Sequence, residues 1–241
     1  MGQVGFEILR RFEVADNTLV LRRYLNQWKF TQLVESKCLY FAPASLFADE
    51  LEGHYTNLDY RVWDEHLLKL SFDNRARAMA SDAKALVAQH NRKAVVISCW
   101  TAGIEEDRRM WTDYGQNPEA VAVETIVGRL RYALGPEFLI IPVRYLDFDR
   151  RAIPKDHSLQ PFFFKRDSFS WEREVRVVGE MEVGKRIESP RLVPIEFKSV
   201  FRRVVISPYA SPEYRHAVGS VLHAASLSVP VHESALKGNA A

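Results

Sequence analysis

Apolar positions along the chain alternate between strand and helix periods. Residues 18–25, TLVLRRYL, are rich in β-formers and end at Asn26, a suitable helix N-cap, after which Phe30, Leu33 and Val34 fall at helical spacing. This predicts a strand followed by a helix. CLYFA at 38–42 predicts a second strand stopped by Pro43, and the acidic SLFADELEGHY predicts an irregular surface segment. From about Asp59 to Arg92 the pattern is helical. Trp63, Leu67 and Leu70 mark one stripe and Ala80, Ala83, Leu86 and Val87 the next, which predicts a helical insert at about 59–92.

AVVISCW at 94–100 is the continuous apolar run of a strand buried on both faces, and a charged helix, EEDRRMWTDYG, follows and should end at Gly115. AVAVET, FLIIPVRYLDF, RLVPIEF and FRRVVISP predict further strands, with TIVGRLRYAL as an amphipathic helix between the first two. Ser211 and Pro212 supply the cap and first turn of a late helix, and LSVPVH closes the sheet. No repeat and no Pro/Gly/Ser linker divides the chain. The expectation is one α+β domain over residues 1–241, with a mixed, largely antiparallel sheet flanked by helices and the insert.

Composition narrows the partners only a little. The 33 basic and 31 acidic residues leave a formal charge of +2, so any basic site is local, and nucleic acid stays open as an acceptor. Cys38 and Cys99 each sit in an apolar run, which suggests buried thiols in a reducing compartment. The first residues hold no apolar signal core and no segment has the length of a membrane span, so a cytoplasmic, soluble protein with no membrane partner is expected. Gly-rich phosphate loops, HExxH, paired CxxC and GxSxG are all absent. The seven histidines include no pair at a metal spacing backed by carboxylates, so no metal is expected.

The chemistry gathers at SFSWEREVRVV, residues 168–178. Read as one strand, it puts Glu172, Glu174 and Arg176 on one face and Trp171, Val175 and Val177 on the other. Two carboxylates about 6.5–7 Å apart can serve one substrate together. On spacing alone, the solvated face of an antiparallel sheet is the simpler account. Lys165, just upstream, would keep neighbouring carboxylates ionised. Arg22 and Arg23, with Tyr24, end the first strand, where a guanidinium is either a rim residue or a phosphate partner. Trp111 and Tyr114 are either a packing stripe or an aromatic wall for a planar ligand.

Five pieces in order carry a resemblance: LRRYLN, YFAPASLFADELEG, VVISCW, RRMWTDYG and KRDSFSWEREVRVV. Together they resemble an uncharacterised bacterial family known as domain of unknown function 2971, over most of the chain. Ala48, Glu50 and Leu51 depart from that family's usual Asn, Pro and Phe, while Asp49, Glu52 and Gly53 remain. More distantly, the arrangement is similar to ADP-ribosyltransferases, with an early-strand Arg, a Ser-bearing strand and a Glu-x-Glu strand. That resemblance implies NAD as a substrate, with no metal needed. It implies Arg22 or Arg23 on an NAD phosphate, Ser45 or Ser98 supporting the cleft, and Trp111 or Tyr114 on the nicotinamide. Glu174 would stabilise the oxocarbenium-like transition state and Glu172 would orient a macromolecular acceptor. Such an enzyme suits a bacterial toxin or phage-defence system.

Two other classes remain open. A metal-dependent nuclease could gather Asp49, Glu52, Glu172 and Glu174 around Mg²⁺, with Lys165 or Arg176 near the phosphate, although Val175 and Arg176 depart from the Glu-x-Lys step. A non-catalytic domain would use its aromatic residues to bind a partner protein.

Overall fold

The computed structural model describes residues 7–70, 73–116, 118–180 and 190–236. Its strands are β1 (Val20–Asn26), β2 (Cys38–Pro43), β3 (Val95–Ala102), β4 (Ala120–Ile126), β5 (Phe138–Pro142), β6 (Arg144–Leu146), β7 (Phe164–Arg166), β8 (Glu174–Glu180), β9 (Arg191–Pro194), β10 (Arg203–Ile206) and β11 (Val231–Glu233). Its helices are α1 (Gln27–Ser36), α2 (Asn57–Lys69), α3 (Asn74–Ala94), α4 (Val127–Leu134), α5 (Phe197–Val200) and α6 (Pro212–Ala224).

Several element starts are written locally. The Asn26 side chain accepts from Lys29 N and opens α1, and Ser211 accepts from Tyr214 N and opens α6, as the sequence suggests. Thr56 and Asp59 form a reciprocal capping box at α2.

Nine strands form one mixed, mostly antiparallel sheet, ordered β11-β10-β4-β1-β3-β2-β9, with β8 and β5 branching from β3. The branch arises because β1 and β2 share one edge of β3. β1 pairs at Thr101 and Ala102, and β2 at Val96 and Ile97, while β8 runs along the opposite edge. Among the described residues, only β10 with β11 is parallel in this sheet; β6 and β7 form a separate parallel pair.

One sheet face carries Leu21, Leu25, Val96, Trp100, Val121, Val123, Val175 and Val177, in a core shared with Phe30, Leu130, Phe197 and Val218 from the helices. The other face carries Ile97, Ile141 and Val178 beneath Phe162, Phe163 and Phe164, and Tyr24, Ala122 and Val205 beneath Met110 and Trp111. Register assigns the polar residues to these faces. Arg22 pairs with Thr101, and Thr101 with Glu174, so the three share the second face; Cys99 and Arg176 are the next pair on it.

Three expectations need correction. Glu172 is not on the strand: Asp167–Glu172 is a 3-10 helix, Arg173 takes a left-handed conformation at φ 45°, and β8 begins at Glu174. The carbonyl of Arg173 accepts from Ala102 N at 2.9 Å, so the αL residue joins the chain to the sheet edge while turning it. Trp171 consequently packs with the Tyr24, Met110 and Trp111 cluster, on the face opposite Val175 and Val177.

The charged helix expected after β3 is a short π-helix, Met110–Tyr114, closed by Gly115 N to Met110 O. The apolar stripes of the insert are only partly buried. Leu67 and Ala88 are buried, but Trp63, Leu70, Leu86 and Val87 stand exposed. Polar anchors also hold the insert: buried Asp59 accepts from Ile153 N and pairs with Lys155, and Arg92 reaches the carbonyls of Ala44 and Glu50.

Candidate functional site

At the β3–β8 end of the second sheet face, five charged side chains form one connected cluster. Lys165 on β7 donates to Glu172 at 2.5 Å and to Glu174 at 3.3 Å. Arg176 grips both oxygens of Glu174 through Nε at 2.9 Å and Nη2 at 3.0 Å, a bidentate fork. Its remaining Nη1 meets the Phe162 carbonyl at 2.7 Å and Glu52 Oε1 at 2.5 Å. Tyr114 closes the chain by donating to Glu172 Oε1 at 2.5 Å. Above β8, the Glu174 amide donates to the Tyr145 hydroxyl at 2.8 Å.

The cluster is not the wet side of a sheet. Glu172, Glu174 and Arg176 are 4%, 6% and 0% exposed, whereas the Tyr114 ring, at 38%, is the member that meets solvent. Burial of this kind requires compensation, because unpaired charges in the interior are costly.

The electrostatics follow from that pairing. Burial raises the Glu174 carboxyl, but the Arg176 guanidinium and the Lys165 ammonium outweigh it and hold Glu174 at about 2. Burial likewise works against Lys165, and the Glu174 and Glu172 charges overcome it, keeping the amine protonated. Burial pushes Glu52 up, only partly opposed by Arg176, and raises the Tyr114 phenol, which Glu172 raises further. Tyr145 is pushed up to about 12 by burial.

These directions set a pH dependence. The depressed Glu174 stabilises the fold at neutral pH, and its contribution is lost as pH falls from about 4.5, its free value, to about 2. Glu52 has the opposite sign: ionised it costs stability, and protonation relieves that cost. The stability gap between the wild type and Glu174→Gln is therefore expected to narrow as pH drops from about 4.5 to 2 in urea titrations. A gap independent of pH would contradict the pairing.

The other expected site residues divide between the faces. Arg22 shares the face of Glu174 and is 4% exposed; its Nε and Nη2 both reach Glu124 Oε2 at 3.1 Å, and Arg203 reaches the same oxygen at 2.8 Å. Arg22 and Arg203 also line a cavity of about 340 Å³ with Glu106 and His232. Arg23 and Ser98 lie on the opposite face: Arg23 Nη1 donates to Ser98 Oγ at 2.9 Å and to Tyr40 O at 3.1 Å, bridging the fork where β1 and β2 diverge. They do not join the carboxylates.

Tyr24 and Trp111 pack edge to face at 4.8 Å, and Trp111, 1% exposed, has no ring face open to a ligand. Its indole donates to Glu106. Tyr114 sits beside Trp171 at 6.4 Å, with Arg109 over that indole. Ser45 lies elsewhere, lining a cavity of about 450 Å³ with Glu50, His54 and Arg92.

Sequence reasoning missed Thr101, Glu124, Arg203 and Tyr145. For Glu124 a signal existed, since an acid inside the apolar run AVAVET requires a cation opposite it. Thr101 and Tyr145 have none, because strand register and loop placement decide them.

Comparison of the chain with protein-family models, with curated proteins and with solved structures gives no match.

Proposed function

We propose that this chain is an NAD-dependent ADP-ribosyltransferase-like enzyme related to the domain of unknown function 2971 family. The observation that carries the reading is the row Arg22, Thr101 and Glu174, one residue on each of three adjacent strands, all on one sheet face. Lys165, Glu172 and Tyr114 gather at its Glu174 end.

In this reading the C1′–N bond to nicotinamide breaks and the acceptor forms a new bond to C1′. Nicotinamide leaves with the bonding electron pair. Glu174, ionised at any physiological pH, stabilises the positive charge that develops on the ribosyl group. Glu172 orients the acceptor and receives its proton, and Tyr114 is the solvent-facing group through which the acceptor arrives. The Arg22 side chain suits a phosphate of NAD, because two guanidiniums share the single Glu124 carboxylate there and the buried Arg22 Nη1 and Arg203 Nε have no hydrogen-bond partner among the described residues.

The nuclease reading has less support. Asp49 is paired with Arg166, Glu52 and Glu174 with Arg176, and Glu172 with Lys165, so a divalent cation would have to displace protein cations already in place. A partner-binding role draws on the exposed apolar residues of the insert, Trp63, Leu70, Leu86 and Val87, and is compatible with catalysis.

Incubation with adenylate-labelled NAD and cell lysate tests the proposal. Label transfer or NAD loss is expected with the wild type in the presence of EDTA, with a drop of about 10²–10³-fold in Glu174→Gln. Neither transfer nor NAD loss in the wild type would remove the reading.

A further inference from the structure

The acidic segment at residues 49–53 reaches the cluster through one side chain. Glu52 is 4% exposed, and its Oε1 lies 2.5 Å from Arg176 Nη1. Arg176 is fully buried and stands between two carboxylates: the Nε and Nη2 edge grips Glu174, and the Nη1 corner faces Glu52 and the Phe162 carbonyl. Held along its Nε–Nη2 edge alone, a planar guanidinium can still tilt with its aliphatic stem and turn its Nη1 group about the Cζ–Nη1 bond. Anchoring the far corner removes that freedom.

The segment that carries Glu52 is itself clamped. Asp49 pairs with Arg166 at 3.1 Å, next to Lys165, and the Glu52 and His54 amides close turns onto Asp49 and Leu51. Gly53 lies against the Phe162 ring, and Arg92 from α3 holds the carbonyls of Glu50 and Ala44. A surface loop with no other task has no need of a buried carboxylate at its centre.

We propose that Glu52 is a positioning residue that locks Arg176 and thereby fixes the orientation of the Glu174 carboxylate. The acidic segment then belongs to the working site. This rests on the reading that Glu174 acts on substrate, and Glu52 acts only through Arg176.

Glu52→Gln keeps the size and one acceptor oxygen while removing the charge. The variant is expected to turn over NAD with kcat at least tenfold lower and KM for NAD within about twofold of the wild type, with Glu52→Asp recovering part of the loss. A kcat within twofold of the wild type, in a Gln variant that melts cooperatively, overturns the proposal. A second readout does not depend on activity: the two Nη1 protons of Arg176 should be resolved by NMR in the wild type and averaged by faster rotation about Cζ–Nη1 in Glu52→Gln. Equally resolved signals in both proteins overturn the lock even if the wild type consumes no NAD, whereas absent NAD turnover with the expected averaging sinks only the NAD reading. Should Glu52→Gln not fold, Glu52→Asp carries both readouts, with partial averaging expected and wild-type behaviour in both overturning the proposal.

Discussion

Replacing Arg176 by methionine is expected to destabilise the protein by about 3–5 kcal/mol, the usual consequence of removing one partner from a buried ion pair. The lost cation leaves Glu52 and Glu174 buried without the charge both rely on, and among the described residues the ion pairs of Lys165 are with Glu174 and Glu172, not with Glu52. For a chain of this length each kcal/mol moves the thermal midpoint by roughly 2–4 °C, so a loss on the order of 10 °C should be seen. The triple variant Glu52→Gln/Glu174→Gln/Arg176→Met removes the stranded charges and should recover much of that loss. Equal midpoints for the wild type and Arg176→Met would mean that the cluster is hydrated in solution and contributes little.

Gly53→Ala is the second large effect. Gly53 sits at φ +76°, and a Cβ there would lie 2.2 Å from Phe162 Cε1 and 2.6 Å from Cζ. The left-handed conformation costs a non-glycine residue about 1–2 kcal/mol, and overpacking against a ring that is itself fully buried adds about 1–3 kcal/mol. The expected sum is about 2–5 kcal/mol in urea denaturation. Because the Phe162 carbonyl also holds Arg176, the displacement should propagate into the cluster. Phe162→Leu in the Gly53→Ala background shortens the offending ring and should restore part of the stability; no recovery would place the cost in the backbone alone.

The two positions illustrate what the sequence could and could not say about the site. Gly53 and Glu52 are visible as members of an acidic, glycine-bearing segment, but nothing local says that this segment folds inward over Phe162. The sequence names Lys165, Glu172, Glu174 and Arg176 together because they lie within twelve residues of one another. Their convergence did not come from the expected alternation. A 3-10 turn and the left-handed Arg173 bring Glu172 to Lys165, whereas a strand in its place would have kept Glu172 on the face of Glu174 but about 6.5–7 Å along it. The pairing of Arg22 with Glu124 and the distance of Ser98 from the carboxylates both depend on register, where a shift of one residue exchanges the faces.

By itself the sequence determined most of the strands and helices, the caps at Asn26 and Ser211, the helical insert and the α+β class, because periodicity, turn residues and caps act over a few neighbours. Tertiary structure alone decided which faces meet. It paired Arg22, Thr101 and Glu174 across three strands, and it separated Arg23 and Ser98 from them. It also left the apolar stripes of the insert partly exposed while burying five charges at the end of β8. The physical reason is that a buried charge is stable only where distant parts of the chain deliver its partners, and the chain's local pattern does not record those distances.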